Sequence, residues 1–181
     1  MKKSVRFIVD IIFVAVLVFI DQFTKVLAYN NLKDNRPIEI IPSVLQLYYL
    51  PNGNRGAAFG IMSGHKAFFV FVAIVVVLVI FFALQFIPAT KKFNLFRVML
   101  LFIAAGGIGN MIDRIRLDFV IDFIYFCLIN FPIFNVADVY VTVSAIVVIV
   151  LILFVYKDSD LEIIKTNFNA LFKKGGNNEG V

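Results

Sequence analysis

The sequence predicts a membrane protein of the all-α class with a small β part. Three observations carry this. Hydrophobic residues make up 61% of the 181, phenylalanine alone occurs 22 times and the mean hydropathy is +0.94, whereas a soluble domain is about half apolar. Four apolar runs are each long enough to cross a hydrocarbon core about 30 Å thick, which takes roughly 20 helical residues. Between the first two runs lies IEIIPSVLQLYYL (38–50), rich in β-branched and aromatic residues and bounded by Pro37 and by Pro51-Asn52-Gly53. That pattern predicts one or two short strands at the membrane surface.

The expected spans cover about 7–28, 67–87, 95–113 and 137–156, with Pro88 closing the second. The first has the basic start and apolar core of a signal peptide. Its length, the charges Asp21 and Lys25 at its far end and the lack of a small-x-small site make it a retained span. Lys2, Lys3 and Arg6 at the N-terminus, Lys91, Lys92 and Arg97 in the second turn and Lys157, Lys165, Lys173 and Lys174 in the tail are ten of the 17 basic residues. An even number of spans puts these groups on one side, and the positive-inside rule makes that side cytoplasmic. The connections 29–66 and 114–136 then face outward, the second as a short helix or loop. Residues 1–156 are expected to form one four-span domain. In the tail, 157–181, Leu161, Ile164, Phe168, Leu171 and Phe172 recur at helical spacing, which predicts an amphipathic helix on the inner leaflet.

The one cysteine, Cys127, excludes an intrachain disulfide and a thiolate cluster, and the one histidine, His65, excludes a multi-histidine metal site. No metal or cofactor is expected. The net charge of +5 and pI near 9.4 follow from basic residues flanking spans and give no reason to expect nucleic acid. No internal repeat or low-complexity tract is visible.

Polar residues stand out in such a chain, because a charge within a span costs about 2.5–3.5 kcal/mol even on the lenient insertion scale. Asp21 and Lys25 are four apart and share a helix face. They are read either as a structural ion pair or as support for an active site. Asn110, Asp113 and Arg114 share a face of the third span. Gly106, Gly107 and Gly109 before them signal close helix packing. Asn135 and Asp138 open the fourth span, where an aspartate has an ordinary role as an N-cap. Asp122, in VIDF, is open to reading as an interfacial surface charge. Asp118 is a second carboxylate in the same loop, and physical reasoning separates the two only weakly, through the apolar flanks of Asp122. If Asp122 and Asp138 meet, they cannot both ionise easily. One pKa rises and a proton is shared. The ionised member can then deprotonate water while the protonated one polarises a peptide carbonyl. This is aspartic proteolysis. Ser63 and Ser144 lack a His or Lys partner for serine chemistry.

DQFTK (21–25), NRGAAFG (54–60), GGIGNMIDR (106–114), VIDF (120–123) and FNVAD (134–138) occur in the order found in lipoprotein signal peptidases (signal peptidase II). The resemblance covers essentially residues 5–156, and five ordered motifs are specific where one would be weak. It implies an aspartic endopeptidase of the bacterial inner membrane, with both termini cytoplasmic and the active site toward the outer face. The substrates implied are diacylglyceryl-modified prolipoproteins, cut before the lipidated cysteine, with globomycin-type inhibitors and membrane lipids as further partners. By resemblance the catalytic pair falls on Asp122 and Asp138. Asn54, Gly56, Asn110, Arg114 and Asn135 match positions that line the site, and Asp21, Lys25 and Asp113 match supporting ones. The 29–66 connection resembles the family's outer β-cradle. Asp118 stands where members often have Gly, and Gly60 where Ser is common. The runner-up reading is a small proton-coupled transport subunit using the same carboxylates. Four spans without an inverted repeat are few for that role.

Overall fold

A computed structural model describes the backbone of residues 3–56 and 65–175. Gly60, Ser63 and the last six residues lie outside the described residues. In chain order the elements are α1 (Lys3–Leu32), β1 (Ile38–Ile41), β2 (Leu45–Leu47), α2 (Lys66–Ala83), α3 (Lys91–Leu117), β3 (Ile124–Phe126) with a 3-10 turn (Cys127–Ile129), α4 (Val136–Val150) and α5 (Asp158–Gly175). A single π-helical turn, Leu151–Val155, continues α4. The protein is thus mostly helical with one small sheet. Among the described residues three helices are long and apolar enough to cross a membrane: α2, α3, and α4 with its π turn. The fourth long helix, α1, has 30 residues but interleaves Asp10, Asp21 and Lys25 with its apolar side chains.

Apolar residues lie on the outside of the bundle. Phe71 and Leu78 of α2, Phe19 of α1 and Phe154 after α4 are all exposed, the pattern of helices solvated by lipid. The centre is α3, which packs against α1, α2 and α4. Its buried Leu101, Ala104 and Ala105 meet Val14, Leu17, Ile80 and Leu151. Small residues permit this approach, since packing without a hydrophobic driving force needs backbones close together. At Gly106 an added Cβ would lie 2.5 Å from the Ala137 carbonyl oxygen and 2.7 Å from Val141 Cγ2. Gly107 meets only Val77, at ordinary contact distance.

The second apolar run leaves its helix at Ala83, four residues short of the expected 87. Residues 84–87 form tight turns, with Gln85 N–H donating to Phe82 O and Phe86 N–H to Ala83 O. Two causes combine. The residue before Pro88 is driven out of the α region, and Arg97 Nη1 takes the Leu84 carbonyl at 2.8 Å. The remaining donors of Arg97 reach both oxygens of Asp10 on α1. The sequence groups Arg97 with the basic surface residues of the turn; in the fold it is buried in an ion pair that ties α1 to α3.

At the opposite end of the bundle three short strands form an antiparallel sheet in the order β1-β2-β3. Ile38 pairs with Leu47, and Leu45 with Phe126, with a bulge between Glu39 and Ile41. β3 is too short, at three residues, to announce itself in sequence. Isolated bridges Asn54–Val120 and Ile124–Phe134 lengthen the ladder. Beneath it Ala28, Leu32, Tyr49, Ile121 and Phe123 make a second small core. Asp118 ends α3 in the left-handed region, φ 66°, the conformation that favours glycine at a helix C-terminus.

Gly106→Leu should destabilise the α3–α4 contact by about 1–3 kcal/mol, as overpacking does. Thermal unfolding in detergent measures this. A Leu variant as stable as the parent would show that the helices are not packed backbone to backbone there.

Candidate active site

The polar site sits where α1, α3 and α4 meet the sheet end of the bundle. Local backbone pairing positions Asp122 first. Its own carbonyl accepts from Leu50 N–H at 3.0 Å, Phe123 O accepts from Tyr48 N–H, Phe123 N–H donates to Phe134 O, and Asn54 and Val120 exchange both backbone bonds. The carboxylate between these clamps is 1% exposed, which overturns its reading as a surface charge. Asp138 is set differently. Asn135, not Asp138, is the N-cap of α4: its Oδ1 accepts from Asp138 N–H at 3.0 Å, and Asp138 Oδ2 accepts the Asn135 N–H at 3.1 Å. This reciprocal pair is a capping box, so one carboxylate oxygen is fixed by the helix start.

Three asparagine amides hold the two carboxylates. Asn54 Nδ2 donates to Asp122 Oδ2 at 2.9 Å and Asn135 Nδ2 to Asp122 Oδ1 at 2.6 Å. Asn110 Nδ2 donates to Asp138 Oδ1 at 2.8 Å, and Asn135 Nδ2 also reaches Asn110 Oδ1 at 3.1 Å. Asn110 and Asn135 therefore bridge Asp122 and Asp138. Each amide is oriented because its oxygen already has a partner. Gly56 N–H occupies Asn54 Oδ1, Asp138 N–H occupies Asn135 Oδ1, and the Lys25 ammonium occupies Asn110 Oδ1 at 2.9 Å. With its oxygen so engaged, each amide turns its NH2 group toward a carboxylate.

Behind the amides lies a buried charge cluster. Lys25, 1% exposed, donates to Asp21 Oδ2 at 2.9 Å, Asp113 Oδ2 at 3.0 Å and Asn110 Oδ1, matching its three N–H bonds to three acceptors. Asp21 Oδ1 accepts the Ala137 N–H, a free donor of the first turn of α4, and Asp113 Oδ2 accepts the Ile121 N–H next to Asp122. A Cβ on Gly109 would strike the Asp21 carboxylate. Arg114 takes the edge of the site, donating to Gly56 O at 2.9 Å and lying over the Phe69 ring. Every site residue expected from the sequence falls in this one connected region.

Gln22 joins the site without a motif that assigns it a role. Its Nε2 donates to Asp113 Oδ1 at 2.9 Å and to the Gly109 carbonyl, closing the cluster on the α1–α3 side. Its signal in sequence was its position between Asp21 and Lys25 in a span, where a polar amide needs a partner. Asp118, the competing carboxylate, stays outside. It is exposed and paired with Lys66 at 2.5 Å, and that ammonium holds its carboxyl below the usual carboxylate range. Burial, and next the Asp138 charge, push the Asp122 carboxyl up to about 7; the Asn54 and Asn135 amides oppose the rise. A carboxyl that keeps its proton near neutral pH beside a second aspartate can donate a hydrogen bond and take part in proton transfer.

Fold and site together define a class: a helical membrane protein with a buried, amide-held aspartate pair at one end of its bundle. The chain belongs to the signal peptidase II family, whose profile matches residues 13–154, and is a peptidase. It is 43% identical over 145 residues to the lipoprotein signal peptidase of Streptococcus thermophilus, covering 80% of this chain and 90% of that protein. The lipoprotein signal peptidase of Clostridioides difficile is 37% identical over 145 residues, with 80% and 94% covered. Two solved structures of bacterial membrane enzymes share the fold at a TM-score of 0.68. One is 28% identical, covering 96% of this chain and 93% of the solved one. The other is 33% identical, covering 82% and 94%.

Replacing Lys25 by Met should leave Asp21 and Asp113 as buried charges without their cation, a loss of about 3–5 kcal/mol. Thermal unfolding in detergent reads this directly. A Lys25→Met protein with parental stability would mean the cluster does not hold the helices together.

Proposed function

We propose that this peptidase removes the signal peptides of diacylglyceryl-modified prolipoproteins, cutting before the lipidated cysteine, with Asp122 and Asp138 as its catalytic pair. The observation that carries this is the pair itself: two aspartates bridged by Asn110 and Asn135, one of them inclined to keep its proton. Asp122 is the proton-bearing member and polarises the scissile carbonyl. Ionised Asp138 accepts a proton from the attacking water. The water oxygen adds to the carbonyl carbon, and Asp138 then passes its proton to the leaving amide nitrogen as the C–N bond breaks and Asp122 recovers its own. Asn54, Gly56, Asn110, Arg114 and Asn135 line the site. Asp21, Lys25 and Asp113 position it.

In this reading α1 is a fourth span, its charges turned inward to the cluster. The protein lies in the bacterial inner membrane with both termini cytoplasmic and the sheet end outward. Residues 1–156 make up the protease domain. The signal helix enters between spans, the acyl chains of the substrate stay in the bilayer, and globomycin-type inhibitors occupy the same groove. The proton-coupled transport subunit is not favoured, because the chain's relatives are peptidases.

Asp122→Asn and Asp138→Asn should each reduce cleavage of a lipidated prolipoprotein by about 10²–10⁴-fold, read by gel shift, while the protein still inserts. Asp118→Gly should cleave normally. Turnover by either Asn variant near the parental level, or an inactive Asp118→Gly, would identify the wrong carboxyl. The rate should also fall as pH rises through about 7, since ionising Asp122 removes the proton that the carbonyl needs. A pH–rate profile with no alkaline limb below about pH 9 would remove Asp122 from the acid role.

A further inference from the structure

The tail helix α5 lies outside the family match, which ends at residue 154, and the proposed chemistry does not use it. It is nonetheless docked on the end of the bundle away from the site. Asn167 Nδ2 donates to Phe86 O at 2.9 Å, and the Phe168 ring packs edge-on to Phe82 and Phe86, with centroids 6.3 and 5.2 Å apart. Lys92 Nζ meets Asp160 at 2.5 Å, and Ile164 packs on the main core. Phe82 belongs to the last turn of α2. These contacts therefore hold α5 level with the end of an apolar span, where acyl chains give way to headgroups.

Three side chains form a stripe on α5 at i, i+3 and i+7: Leu161, Ile164 and Phe168. Ile164 is taken up by the protein. Leu161 and Phe168 remain 39% and 38% exposed, with Ile163 exposed on the other flank. The exposed Lys165 side chain borders Leu161 on the helix surface. The tail itself is balanced, with four basic and four acidic residues over 157–181, and the basic excess comes from segments 1–10 and 88–97. Segments 1–10, 88–97 and 157–181 hold ten of the 17 basic residues but only five of the 12 acidic ones, so they carry the whole net charge of +5. Apolar side chains level with the end of a span, with Lys165 beside them and the basic segment 88–97 adjoining, complement an anionic bilayer surface.

We propose that α5 is a lipid-binding element: its exposed apolar side chains lie in the acyl–headgroup boundary of the leaflet at this end of the bundle, and Lys165 with Lys91 engages anionic headgroups. The bilayer covers the exposed stripe, and no second protein is required. The chain contains no tryptophan, so one introduced residue gives a clean signal. Full-length Leu161→Trp and Thr166→Trp, the latter about 140° around the helix, are placed in nanodiscs of brominated-chain phosphatidylcholine, with and without phosphatidylglycerol. Leu161→Trp should be quenched about threefold more strongly than Thr166→Trp. In the unsubstituted chain, hydrogen exchange over 158–175 should slow about tenfold when phosphatidylglycerol is present, and high salt should reverse this. Equal quenching of the two variants, exchange indifferent to anionic lipid, or a crosslinked dimer through α5 would each overturn the proposal. Prolipoprotein cleavage by the substituted chains should equal that of the parent, so failure here is distinct from failure of the catalytic assignment.

Discussion

The structure depends on one buried ammonium. Lys25 is buried where α1, α3 and α4 meet, and each of its three N–H bonds ends on a different acceptor: Asp21, Asp113 and Asn110. Taking these charges out of water costs several kcal/mol per ion, so the cluster forms only if every group is engaged. That requirement fixes the helices. Asp21 uses its second oxygen on the start of α4, Asp113 on the loop that carries Asp122, and Gln22 bridges back to Gly109. Three helices and one loop share a single set of hydrogen bonds, and the loop cannot shift without unpairing a buried acceptor.

The same ammonium reaches the aspartate pair without touching it. By occupying the oxygen of Asn110 it turns that amide's N–H group toward Asp138, while the N-cap bond of α4 does the same for Asn135 and the Gly56 N–H for Asn54. Helix capping, loop conformation and a remote ion pair thus each set the polarity of one amide. All three then favour ionised carboxylates. Burial and mutual repulsion act against them, and for Asp122 the opposing effects are the larger. Amides that only donate keep the pair ordered in either protonation state, because each oxygen retains a lone pair beyond the one that accepts.

Much of this was legible in the sequence, for a reason that applies to membrane chains in particular. Where lipid is the solvent, a polar residue within a span is expensive, so Asp21, Lys25, Asn110 and Asp113 declared themselves by their setting alone. The spacing of Asp21 and Lys25 gave their shared face. The choice of Asp122 over Asp118 rested on a family motif; the physical difference, burial against exposure beside Lys66, depends on strand pairing by β3, three residues long and below what a sequence pattern resolves. Asp10 is legible by the same rule as Asp21, whereas Arg97 carries the pattern of a surface charge because its partner lies 87 positions away. Short strands and distant ion pairs are set by tertiary contacts, which local patterns do not contain.

The two ion clusters explain why the short turn between α2 and α3 and the site can share one rigid bundle. Arg97 with Asp10 joins α3 to α1 at one end, and Lys25 with Asp21 and Asp113 joins the same two helices at the other. Between them α3 is lined with alanine and glycine, so its distance from α4 is set by backbone contact at Gly106. A helix pinned at both ends and touching backbone in the middle has little freedom to slide or rotate. Asn110 and Asp113 therefore hold fixed positions relative to Asp138 on α4. Any motion of the site must then come from elements outside this frame, among them the exposed strand β1.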